Sequence, residues 1–104
     1  MSRLTETIGD IQNWDVQYRV HATKRMFQRN VDEEDVLEVL LNGDIIERYE
    51  DDFPFPSLLI NGHSVNGRCL HLVVGIDVSE KRLYIITVYE PDQKKWTDNF
   101  SRRL

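Results

Sequence analysis

The sequence predicts an α+β domain, with an N-terminal strand and two or three helices packed on one face of a four- or five-stranded antiparallel sheet. Up to position 43, apolar residues recur mainly at helical spacing. From position 45 onward, short β-branched or aromatic runs alternate with turn residues. Consecutive helices followed by consecutive strands are typical of α+β proteins, in which the helices share one sheet face.

Composition is that of one globular domain, since the 104 residues are 40% hydrophobic and 30% charged. We expect a single domain over 1–104, made of an N-terminal helix over 1–14 and a core over 15–104. Cys69 is the only cysteine, which excludes an internal disulfide. No apolar run approaches the roughly 20 residues of a membrane span, and the N-terminus lacks a secretory signal. A cytoplasmic protein without a membrane partner is therefore expected.

The first half of the chain is predicted to contain three helices and one strand. A first helix follows Ser2 as its cap, and a second is expected over 21–30. The first helix is identified by apolar residues at helical spacing, namely Leu4, Ile8 and Ile11. Alternation with polar neighbours identifies the strand, at Val16, Tyr18 and Val20.

A third helix over 32–41 carries the strongest local signals. Asp32 stands at the cap position, while Val31 and Val36 occupy the two positions of a hydrophobic staple. Gly43 follows the helix and predicts a left-handed end. The expected buried stripe is Val36, Val39 and Leu40, widened by Leu37 and Leu41.

The second half is predicted to be strands, over 45–49, 57–60, 69–77 and 83–89. Asn61-Gly62 and Asn66-Gly67 are expected to form turns. Because only a short polar segment joins the last two strands, they should pair antiparallel.

One helical face carries the first candidate site. His21, Arg25 and Arg29 fall within about 80° of each other around the predicted second helix. Two guanidinium groups one turn apart can bind a phosphate or carboxylate, and an imidazole beside them is a candidate general base. The alternative is that both arginines pair with the acids of the next helix.

A second candidate lies on the predicted sheet. Period-two alternation places His71 on the face that the helices do not cover, and the same face takes Thr87 and Tyr89 in one of two registers. That register would give a polar patch with titratable groups. The alternative is a buried histidine hydrogen-bonded to its neighbours.

Other features limit the possible ligands. No histidine or cysteine pair has the spacing of a metal site, and no cofactor motif is present, so neither a metal nor a cofactor is expected. A net charge of −5 does not favour DNA, which leaves a protein partner or RNA. The segment Phe53-Pro54-Phe55-Pro56 is either a partner-binding lip or a cover folded over a core edge.

These residues, over about four-fifths of the chain, resemble a bacterial family named domain of unknown function 4258. The resemblance runs through His21-Ala22-x-x-Arg25-Met26-x-x-Arg29-x-Val31, Leu70-His71-Leu72-Val73-Val74, Thr87-Val88-Tyr89-x-Pro91-Asp92, Trp96, Phe100 and Arg102. The family is more remotely similar to the RelE-type toxin fold, whose members cleave RNA without metal. That similarity implies a RelE-like fold with site residues His71, Tyr89, Arg25 and the C-terminal arginines.

Two functions follow as hypotheses. The first is a non-catalytic module of RelE-like fold that binds a protein or a small anion, which the acidic charge favours. The alternative is a metal-independent ribonuclease, with His71, Tyr89 and His21 as catalytic candidates and Arg25, Arg29 and Arg102 binding the anion. Trp96 and Phe100, four residues apart, are expected to dock on the body in a helical turn that brings Arg102 to the sheet. The oligomeric state stays open.

Overall fold

A computed structural model describes residues 2–97 and 99–104 and has the expected α+β class. Its elements in chain order are α1 (Leu4–Ile8), β1 (Asp15–Tyr18), α2 (Val20–Arg29), α3 (Glu33–Asn42), β2 (Asp44–Tyr49), β3 (Ser57–His63), β4 (Cys69–Asp77) and β5 (Arg82–Tyr89). The strands form one five-stranded sheet in the order β1-β5-β4-β3-β2.

The sheet is mixed, so the expectation of a purely antiparallel sheet was wrong. β2, β3, β4 and β5 pair antiparallel through hairpin-like connections, whereas β1 runs parallel to β5. A tight turn imposes antiparallel pairing only on strands that are consecutive. β1 is joined to β5 by most of the chain, so no local signal sets its direction.

α3 begins as its local sequence predicts. The Asp35 amide donates to the Asp32 carboxylate at 3.0 Å, and the Asp32 amide donates to the Asp35 carboxylate at 3.1 Å. This reciprocal cap fixes the first turn. Val36, Val39 and Leu40 are buried against the sheet, but Leu37 and Leu41 are exposed and do not widen the stripe.

Two glycines serve close packing rather than the turns expected of them. Gly43 has an ordinary negative φ, and a Cβ there would lie 2.5 Å from the Ile60 side chain. Gly62 lies within β3, where a Cβ would lie 2.9 Å from the Val39 side chain. The actual turn comes later, at Gly67, whose φ of 80° is left-handed.

The N-terminal helix is shorter than expected over 1–14, and Met1 lies outside the described residues. α1 ends at Gly9, which has a φ of 78°, and Ile11–Asn13 form a separate 3-10 turn. Leu4 and Ile11 still reach the core. Within the described part of the chain, none of the helices combines the length and apolarity needed to cross a bilayer.

The sheet has a core on its helical face and a second buried cluster on the other. The core contains the strand residues Leu58, Ile60, Leu70, Leu72, Val74, Leu83, Ile85 and Val88. A bulge opposite Val73 and Val74 places Ile85 and Val88 on this same face although they are three residues apart. Leu59 and Trp96 are buried as well, but they lie outside this core.

Candidate functional site

The sheet register brings the predicted polar residues to one face. His71 on β4 lies opposite Tyr89 on β5 and opposite Asn61 on β3, while Val73 lies opposite Thr87. Side chains directly opposite each other in a sheet share a face. The face away from the helices therefore carries His71, Thr87 and Tyr89. This is the register that was predicted to bring the three side chains together.

His71 is nevertheless completely buried. Its Nε2 donates a hydrogen bond of 2.8 Å to the Phe100 carbonyl, so the neutral ring accepts at Nδ1 from the Tyr89 hydroxyl at 3.1 Å. The Trp96 ring packs against it almost perpendicularly, with the ring centroids 4.5 Å apart. Both ring nitrogens are thus occupied and the ring is covered.

Burial also sets the protonation of this cluster. Burial lowers the pKa of His71, and the hydrogen bond to Phe100 and the charge of Glu47 oppose that shift only in part. Burial likewise raises the pKa of the Tyr89 hydroxyl. At neutral pH both groups are uncharged and hydrogen-bonded to each other. This arrangement is the alternative given for His71, a buried histidine hydrogen-bonded to its neighbours.

The cover is the C-terminal segment, residues 92–97 and 99–104, which we call the tail. The Trp96 amide donates to the Asp92 carbonyl, and beyond this turn the tail doubles back as a small hairpin. Thr97 donates to the Arg102 carbonyl at 2.9 Å, and Leu104 donates to the Lys95 carbonyl at 2.9 Å. The expected helical turn from Trp96 to Phe100 is therefore replaced by a hairpin, although Trp96 does dock on the sheet.

The arginine that reaches the sheet is Arg103. Its guanidinium binds the Glu47 carboxylate through two contacts of 2.8 and 3.1 Å and lies 4.6 Å above the Trp96 ring. The Tyr49 hydroxyl donates to the same carboxylate. Hydrogen bonding from Arg103 lowers the pKa of Glu47. Arg102 is exposed, because the hairpin pairs Trp96 with Arg103.

The basic face of α2 does not join this cluster. His21, Arg25 and Arg29 are exposed, whereas Ala22 and Met26, on the adjoining side of α2, enter the helical core. The sheet thus separates these three side chains from the His71 face. The ion pairs among the described residues include neither Arg25 nor Arg29, so the alternative, in which both arginines pair with the acids of α3, is not formed either.

The remaining half of the same sheet face holds an open cleft of about 210 Å³, which we call the aromatic cleft. Its lining is Arg19, Asp52, Phe53, Pro54, Phe55, Gly75, Tyr84 and Ile86. Gly75 lies opposite Tyr84, and because it follows His71 by four residues on β4, it lies on the same sheet face as His71. The cleft and the covered histidine therefore lie side by side.

Aromatic and charged contacts shape this cleft. The Arg19 guanidinium lies 4.4 Å from the centre of the Tyr84 ring, and Phe55 stacks on Tyr84 with the rings 5.3 Å apart and nearly parallel. Phe53 projects into solvent with 94% of its surface exposed. The Asp52 carboxylate accepts a hydrogen bond from the Ser57 hydroxyl. Thus Phe55 folds onto the sheet and Phe53 forms a lip.

The sequence pointed to the Phe-Pro segment and to the C-terminal arginines, but not to Arg19, Tyr84 or Glu47. Arg19 and Tyr84 come together only through the parallel pairing of β1 with β5. In the described residues, no three His, Cys, Asp or Glu side chains are arranged to hold a metal ion.

Comparison with known proteins identifies a family. The family described as Domain of unknown function (DUF4258) matches residues 18–90, which is well over half of the chain. The matched region contains four of the five strands and both longer helices, whereas α1, all of β1 except Tyr18, and the tail lie outside it. No curated protein matches the chain. Nor does any solved structure.

Proposed function

Because this chain belongs to the family described as Domain of unknown function (DUF4258), we propose its function from its own site: a non-catalytic module that binds a peptide segment of a partner protein in the aromatic cleft. One observation carries the proposal. His71, the residue best suited to chemistry, is fully covered by the tail, while the cleft on the same sheet face is open.

The chemistry of the cleft fits a peptide. Phe53 and Ile86 offer exposed apolar surface, and Arg19 and Asp52 offer one charge of each sign. Aromatic side chains and arginine dominate the binding energy of many protein interfaces. A polyanion would instead require several cations, and the chain has a net charge of −5. Pro54 and Pro56 stiffen the lip, which reduces the entropy lost when a ligand binds.

The ribonuclease alternative requires catalytic groups that reach one reacting centre. His71 and Tyr89 are held together beneath the tail, and His21 and Arg25 lie across the sheet from them. A general base must also come within hydrogen-bonding distance of its substrate, which complete burial prevents. The arrangement therefore favours binding over RNA cleavage.

Selection from a random peptide library on the immobilised protein tests the proposal. We expect enriched peptides to bind the wild-type protein and to bind Phe53→Ala and Arg19→Ala at least about tenfold more weakly, as for the loss of about 1.4 kcal/mol at an interface hot spot. Fluorescence anisotropy of the labelled peptides measures each Kd.

Val65→Ala is the control, because Val65, in the turn between β3 and β4, is an apolar side chain that is 61% exposed and does not line the cleft. This variant should retain full affinity for the selected peptides. The proposal is wrong if no peptide is enriched, or if the enriched peptides bind Phe53→Ala as tightly as wild type.

A further inference from the structure

The outer edge of β1 is free in the described sheet, since β1 is the terminal strand and pairs only with β5. The amides of Asp15 and Arg19 donate to carbonyls on the β5 side, at 2.9 and 3.0 Å. Backbone groups alternate in direction along a strand, so those of Val16 and Tyr18 point away from the sheet. Such an edge is a template for an additional strand.

A groove runs beside this edge on the helical face, and we call it the edge groove. The edge groove consists of two adjoining depressions, both of which are lined by Tyr18 and Glu33. Its main lining residues are Val16, Tyr18, Phe27, Glu33, Glu34 and Leu37. Phe27 is 87% exposed and Leu37 44% exposed, although both are large and apolar.

The charges around the edge groove have one sign. Asp32, Glu33 and Glu34 line it at the start of α3, and no lysine, arginine or histidine does so among the described residues. Burial, together with the charge of Glu33, raises the pKa of Tyr18 to about 12. A groove that is apolar at its base and acidic at its rim complements an apolar segment that carries positive charges.

We propose that β1 and the edge groove dock an extended, basic segment of a partner protein, which adds to the sheet as a sixth strand. The side chains on the groove-facing side of this strand, every second residue, are apolar where they pack on Phe27 and Leu37 and lysine or arginine where they meet Glu33 and Glu34. β1 has four residues, about 13 Å at the usual rise, so the paired segment spans about four to six residues. A second copy of this chain would bring two acidic rims together and is disfavoured. This surface is separate from the aromatic cleft.

Two synthetic peptides of equal length test the proposal. Both carry isoleucine and a charged residue in turn at the groove-facing positions, with threonine at the positions between, and the charged residue is lysine in one peptide and glutamate in the other. We expect the lysine peptide to bind at least about tenfold more tightly at low salt, and raised salt to weaken it. The double variant Glu33→Lys and Glu34→Lys should reverse this preference. The control, Glu50→Lys with Asp51→Lys, makes the same charge change after β2, at the opposite edge of the sheet.

Backbone pairing is tested on the wild-type protein, so it does not depend on a variant that folds. Alternate backbone amides of the bound lysine peptide point toward β1, and the others point away from it. N-methylation of the first set should abolish binding, whereas N-methylation of the second set should preserve it. Amide resonances of Val16 and Tyr18 should shift in the complex. Equal affinity of the two peptides, or equal affinity of both methylated forms, would overturn the proposal.

Discussion

Replacement of His71 with alanine is the most informative perturbation of the covered cluster. The ring is fully buried, and its two hydrogen bonds join Tyr89 and Phe100 beneath Trp96. Its removal takes away a partner of the Tyr89 hydroxyl and of the Phe100 carbonyl, both part-buried, at up to about 1–3 kcal/mol for each group left unsatisfied. The cavity adds a further loss of packing. We expect His71→Ala to lower the free energy of unfolding by about 3–5 kcal/mol.

Urea denaturation followed by Trp96 fluorescence measures this loss. Both proteins should carry Trp14→Phe, because Trp14 is the second tryptophan of the chain. The transition midpoint should move to lower urea with little change in its slope, since the folded and unfolded surfaces are otherwise similar. A red shift of Trp96 emission in the native state would report that the tail has partly undocked.

His63→Ala is the matched control, because the imidazole of His63 is exposed and only its backbone bonds to Asn42. An exposed substitution of this kind should change the free energy of unfolding by less than about 0.5 kcal/mol. If His71→Ala lowers the free energy of unfolding by no more than this control does, His71 does not hold the tail in place. That result would refute a structural role for the His71 cluster.

Three further predictions concern the protonation of His71, the arginine of the tail and the core beneath α3. Because the pKa of His71 is lowered in the folded protein, its contribution to stability should be complete above pH 6.5 and fall at lower pH, as the unfolded chain takes up a proton that the folded chain does not; His71→Gln should remove that part of the pH dependence in urea titrations. Arg103→Ala should shift Trp96 emission and Arg102→Ala should not, because only Arg103 pairs with Glu47. Leu40→Ala should lower the free energy of unfolding by about 2–5 kcal/mol, measured by urea denaturation, since Leu40 is buried beneath α3.

Local signals explain which parts of the fold could be predicted. The reciprocal cap of Asp32 and Asp35 and the buried stripe of α3 depend on residues within one helix, and both follow from the sequence. The parallel partner of β1 depends on residues more than sixty positions away, such as Leu83 opposite Val16. Gly62 resembled a turn residue, but its role comes from the close approach of α3 to β3.

The site shows the same division. Period-two alternation placed His71 on the face away from the helices but left Tyr89 open between two registers, of which the structure has the one that pairs Tyr89 with His71. The burial of His71 could not be predicted, because it depends on where the tail folds after β5, and the spacing of Trp96 and Phe100 is also compatible with a helical turn. Arg103 reaches Glu47 only because the tail forms a hairpin.

One measurement tests the central claim most directly: mapping of a selected peptide onto the isotope-labelled protein by NMR chemical-shift changes. The claim is that the aromatic cleft binds while the tail stays closed over His71. We predict that shifts concentrate at Arg19, Phe53, Gly75 and Tyr84, while the His71 ring keeps its proton on Nε2. Shifts centred on His71 and the tail, with loss of that Nε2 proton's protection from solvent exchange, would contradict the account.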